Sequence, residues 1–78
     1  PGQIQEEQWR VGDKMSYIRR RLRENASFPL TDLIAPGQSR MEMIVTFLAI
    51  LELMKIGEMA VGREQDTSAL MIYSKPFL

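Results

Sequence analysis

Ser39-Arg40-Met41-Glu42-Met43-Ile44-Val45-Thr46-Phe47-Leu48-Ala49-Ile50-Leu51-Glu52-Leu53-Met54-Lys55-Ile56-Gly57 is the stretch whose reading decides the fold. Ser39 followed three residues later by Glu42 is a capping-box pattern, in which hydroxyl and carboxylate each satisfy a backbone amide that a helix start leaves orphaned. Gly57 after Lys55-Ile56 is the expected left-handed stop, with a cation in the last turn where the helix dipole favours one. A long helix therefore runs between them. At ~100° per residue, Met43, Ile44, Phe47, Leu48, Ile50, Leu51 and Met54 cover about half of its circumference, enough to build a core. A second apolar stripe remains: Met41, Val45, Ala49 and Leu53, recurring every four residues and broken by Glu42, Thr46 and Glu52. The larger set is expected to point inward. The second stripe then lies either beneath another element of the domain or beneath a partner protein, because a chain this small has no second layer to spare.

Upstream, Val11, Met15, Ile18 and Leu22 fall on one face of a first helix over about Gly12 to Asn25, with Lys14, Arg19, Arg20, Arg21 and Arg23 around the rest. Asp13 sits in its first turn and the arginines sit toward its end, as the dipole favours. Ser27-Phe28-Pro29-Leu30 is long enough for a bend or one edge strand, and Pro29 confines it to an edge because it cannot donate to a ladder. Thr31 is a candidate N-cap for a brief second helix to Ala35 with Leu33 and Ile34 inward, ended by Pro36-Gly37. Downstream, Glu58-Met59-Ala60-Val61-Gly62 and Ala69-Leu70-Met71-Ile72-Tyr73 read as two strands joined by a polar loop. The expected fold is α+β, mainly α: a winged helix-turn-helix of three helices plus a C-terminal β-hairpin wing. Residues 1–10 are expected to be a lead-in and 11–78 the domain. Pro1 in place of an initiator Met suggests a fragment of a longer protein.

Composition narrows the chemistry. The 78 residues are 45% apolar and 26% charged, with ten basic and ten acidic side chains and neither Cys nor His. A chain of this size buries only about 60% of its unfolded surface. No disulfide or zinc ligand set is at hand to reinforce it. The absence of Cys and His excludes Ser-His-Asp and Cys-His catalysis, CxxC redox chemistry and the usual transition-metal sites. No phosphate-cradling glycine motif is present, so neither enzyme activity nor a cofactor is expected. The apolar run from Met41 to Met54 is too short to cross a bilayer and holds Glu42 and Glu52.

A DNA-reading winged helix needs Arg, Lys, Asn or Gln on the helix that enters the groove. Between Arg40 and Lys55 there is no basic residue, and the hairpin loop sets Arg63 against Glu64 and Asp66. Arg19, Arg20, Arg21 and Arg23 form the one basic cluster, read as a solvated helix face or as a weak contact for phosphates or an acidic surface. The six methionines fall mostly on apolar stripes, where they fill a core or adapt an interface. Trp9, Tyr73 and Phe77 are expected to clamp the chain ends onto the body, the alternative being Trp9 as an interface anchor.

The run Ser39 to Lys55, and Val45-Thr46-Phe47-Leu48-Ala49-Ile50-Leu51-Glu52-Leu53 above all, resembles the C-terminal domain of the bacterial kleisin family, segregation and condensation protein A. Ser27-Phe28 leading into Leu33-Ile34 is similar to that family's short strand and second helix. The hairpin tip departs from it, carrying Asp66-Thr67-Ser68-Ala69 where a Phe-Gly-Asp-type tip is expected. The resemblance implies a winged helix that caps the ATPase head of a structural-maintenance-of-chromosomes (SMC) protein in chromosome condensation and segregation. It also implies that segregation and condensation protein B binds other parts of the full-length protein, that DNA is met indirectly through the complex, and that the location is cytoplasmic and nucleoid-associated, with no membrane contact. The residues expected to meet the partner are the stripe Met41, Val45, Ala49 and Leu53 with Met71 and Tyr73 of the hairpin. The alternative is a DNA-binding winged helix of a transcription regulator, driven by the four arginines.

Overall fold

The computed structural model describes residues 10–75. The expected roles of Trp9 and Phe77, and all of the lead-in except Arg10, lie outside the described residues. In chain order the elements are α1 (Val11–Glu24), β1 (Ser27–Pro29), a 3₁₀ turn (Leu30–Asp32), α2 (Arg40–Lys55), β2 (Met59–Arg63) and β3 (Leu70–Ser74). The architecture is α+β, two α-helices on a three-stranded antiparallel sheet, and it is compatible with a winged helix.

The three expected helices are not shown, because the second is a single 3₁₀ turn that begins one residue before Thr31, with Pro29 at its cap. The fixed φ of Pro29 leads directly into the turn, and Pro36-Gly37 follows too soon for an α-helix to propagate beyond its costly nucleus. Leu33 is buried just after it, so the inward side chain survives the loss of the helix.

The sheet order is β1-β3-β2, which puts β1 at an edge, where Pro29 was expected. Ile72 is the centre of the sheet, paired with Phe28 on one side and Val61 on the other. Ile72 and Phe28 join Ile18, Leu33, Ala49, Ile50, Leu53 and Met59 in one core. The long helix starts at the expected cap, with Ser39 Oγ accepting from Glu42 N at 3.0 Å. The reciprocal half of the capping box is replaced: the Glu42 carboxylate accepts from Lys14 Nζ at 3.1 Å and Gln38 Nε2 at 3.4 Å. The helix ends in a Schellman motif, with Gly57 N bonded to Met54 O at 3.1 Å, Glu58 N to Leu53 O at 2.9 Å, and Gly57 at φ +82°.

Candidate protein-docking face

Helix α2 is apolar on both sides, and the structure chooses between them in the opposite sense to the expectation. Val45, Thr46, Ala49, Ile50 and Leu53 are its buried residues. Of the side chains expected to build the core, only Ile50 does so. Ile44, Phe47, Leu48, Leu51 and Met54 are exposed, and Met43 is half-buried. The stripe expected to be left over is therefore the packing stripe, and the hairpin covers part of it: Ala49 and Leu53 share the core with Met59 and Ile72.

The physical reason is close approach. Dense interiors need side chains that let backbones near one another, and Ala49, at 0% exposure, does this where a Phe or Leu of the other stripe would hold the elements apart. Thr46 looked like a marker of the outer side because it is polar. Its hydroxyl donates to Glu42 O at 2.8 Å, one turn back, which satisfies it and lets the side chain sink to 1% exposure.

Val45, Ala49 and Leu53 accordingly have no free surface to offer a partner. Met41 alone of its stripe is exposed. Met71 and Tyr73 alternate with the buried Ile72, so they stand on the opposite face of the sheet, half-buried. Tyr73 is committed to the hairpin there: a Cβ at Gly62 would lie 3.2 Å from its ring, so the ring lies against the glycine. The six residues expected to form one docking surface are not brought together.

What the fold exposes instead is a row along α2. Met41, Ile44, Phe47, Leu48, Leu51 and Met54 are exposed large apolar side chains, with Leu51 at 58%. Single exposed leucines are ordinary, but a contiguous apolar patch on a small domain marks an interaction site. Sequence periodicity could not separate this row from the core stripe. The signal that could have done so was the small residue Ala49 on the stripe that packs.

The arginine cluster is partitioned by the fold. Arg19 Nε and Nη2 donate to the two carboxylate oxygens of Glu58 at 2.6 and 3.1 Å, a bidentate pair that joins α1 to the start of the hairpin. The hydrogen bond from Arg19 holds the Glu58 carboxyl below the ordinary glutamate range, and the Arg19 guanidinium is raised in return. Arg21 donates to Tyr17 Oη at 3.1 Å and to Asp32 Oδ2 at 2.9 Å, its charge 4.6 Å from the Phe28 ring centroid. Those two hydrogen bonds, Tyr17 first, raise its pKa. Arg20 lies 5.5 Å from the Tyr17 centroid. Arg23 lines a groove of about 520 Å³ with Arg19, Leu22, Leu53, Glu58, Ser74 and Lys75. Arg20 and Arg21 thus share the Tyr17 ring and Arg19 and Arg23 share the groove, while Arg19 and Arg21 are each held by a carboxylate. Among the described residues no helix is long and apolar enough to cross a membrane, and no group of three or more His, Asp or Glu is placed to hold a metal ion.

The chain is 38% identical over 64 residues to segregation and condensation protein A of Clostridium tetani, a match that covers 82% of this chain and 25% of the relative. The protein of the same name from Halothermothrix orenii is 35% identical over 74 residues, 92% of this chain and 30% of the relative. The one from Streptococcus agalactiae serotype Ia is 32% identical over 69 residues, 88% and 29%. The chain is homologous to the C-terminal part of segregation and condensation protein A. It spans between a quarter and a third of the length of these relatives. No family model matches it. The resemblance read from Val45 to Leu53 thus points to the same family as whole-chain comparison. That segment holds both the packing stripe and part of the exposed row.

Proposed function

We propose that this chain is a protein-binding domain of a chromosome segregation and condensation complex, and that it docks on the ATPase head of an SMC protein. The observation that carries the reading is the exposed row of Ile44, Phe47, Leu48, Leu51 and Met54 on α2, in a chain homologous to the C-terminal part of segregation and condensation protein A. Burying several such side chains against a partner contributes about 25 cal/mol per Å² of apolar area removed from water, less the cost of association. The domain catalyses nothing itself and holds an ATPase in place. Segregation and condensation protein B is met by other parts of the full-length protein, and DNA through the assembled complex in the cytoplasm. The transcription-regulator alternative is not favoured: the outward face of α2 is apolar where a base reader carries polar side chains.

The test is complex formation between this chain and an SMC ATPase head on size exclusion, with Leu51→Asp as the probe. Leu51 is exposed, so the variant keeps its thermal unfolding transition and loses the complex. Normal binding by folded Leu51→Asp removes α2 from the interface, and failure of the wild-type chain to bind any head removes the SMC reading.

A further inference from the structure

The outward face of α2 carries charge only at its ends. At ~100° per residue, Arg40 and Lys55 fall within the arc occupied by Ile44, Phe47, Leu48 and Leu51, one in the first turn and one in the last. Both are exposed, and among the described residues neither enters an ion pair. The acidic residues of the helix lie elsewhere: Glu42 is held by Lys14 Nζ at 3.1 Å, and Glu52 is half-buried at the flank. The face is therefore an apolar row with a cation outside any ion pair among the described residues at each end, about 22 Å apart along the axis.

That pattern discriminates between occupants. In an antiparallel pair of α2 helices, Arg40 of one copy meets Lys55 of the other. In a parallel pair, each cation meets its own counterpart. Both arrangements bring like charges together at both ends of the contact, so the face repels a second copy of itself while its middle invites burial. We propose that the face is built for a heterologous protein surface of matching form, an apolar strip flanked at both ends by carboxylates, and that Arg40 and Lys55 set its register and exclude self-pairing. This rests on the docking reading above and specifies the chemistry of the partner at that site.

The experiment compares wild type, Leu51→Asp and the double variant Arg40→Glu/Lys55→Glu, each checked for an unchanged melting transition, in binding to the SMC ATPase head across a salt series. Sedimentation of each protein alone at ~100 μM accompanies it. The expected result is a monomeric wild type whose affinity for the head falls as salt rises, complete loss in Leu51→Asp, and at least a 10-fold loss in the double variant at ~50 mM salt with the salt dependence flattened. Wild-type binding by the double variant, with Leu51→Asp still inactive, overturns the charge proposal and leaves docking standing. Binding by Leu51→Asp, or no binding by wild type, overturns the docking reading and this inference with it. A wild type that sediments as a dimer makes the second copy the occupant and overturns the proposal.

Discussion

Helices α1 and α2 lie against each other and solve opposite problems. α1 has one apolar side, and its polar side is tied to three other elements: Lys14 to Glu42 of α2, Arg21 to Asp32 of the 3₁₀ turn, and Arg19 to Glu58 before β2. α2 has two apolar sides, and among the described residues one of them is buried and the other exposed. A helix that completes its contacts inside the fold serves as scaffold, whereas a helix with a surplus apolar side presents it outward. Hydrophobic content alone does not separate the two roles. The side chains that tell them apart are the small ones, since the side of α2 bearing Ala49 and Thr46 is the one that packs.

The sharpest way to break this comparison is to truncate neighbouring leucines on the two sides of α2. Leu53→Ala removes a fully buried side chain from the core and is expected to cost 2–5 kcal/mol in urea unfolding, about the range for such cavities. Leu51→Ala, two residues earlier and mostly exposed, is expected to stay within about 0.5 kcal/mol of wild type. Equal losses would mean that the two sides are not distinct. Overfilling tests the close-approach argument from the other direction: Ala49→Leu is expected to destabilise by about 1–3 kcal/mol despite adding apolar volume. An unchanged midpoint for that variant would show that α2 has room on its packing side.

A smaller effect belongs to the start of α2. Ser39→Ala deletes the hydroxyl that accepts from Glu42 N, and a loss of about 1 kcal/mol is expected, measured by thermal or urea unfolding. The smallest effect tests the polar side of α1 through pH. Because Arg19 holds the Glu58 carboxyl below its ordinary value of 4.5, the pair's contribution is complete above that value and is lost as the pH falls through the lowered one. Glu58→Gln is therefore expected to melt slightly below wild type at neutral pH and to converge with it in acid. The pair is partly exposed, so added salt should shrink the neutral-pH difference as well. A gap that widened in acid would contradict the assignment.

Much of the fold is legible in local chemistry. The observed α1 begins one residue before the expected start, and Asn25 follows it as its cap. Ser39 bounds α2 through its hydroxyl, and Gly57 through the left-handed backbone that a residue without a Cβ adopts freely. Each hairpin strand lies one residue later than its pattern suggests, and Pro29 marks an edge because a missing N–H has the same consequence in any sheet. The 3₁₀ turn was less legible, since Thr31 carries cap chemistry whether or not a helix follows it. The buried side of α2 was misread because counting apolar residues favours the side with the largest ones, while packing favours the side whose shape fits.

The sequence by itself determined where α1 and α2 start and stop to within a residue, that β1 lies at an edge, the absence of Cys and His chemistry, and the family. These depend on backbone geometry and side-chain chemistry within a few residues. Only the tertiary structure decided which side of α2 is inside and which neighbour each arginine holds. Both are questions of distance between segments remote in the chain, settled by how closely Ala49, Thr46 and Leu53 let α2 approach the rest of the core.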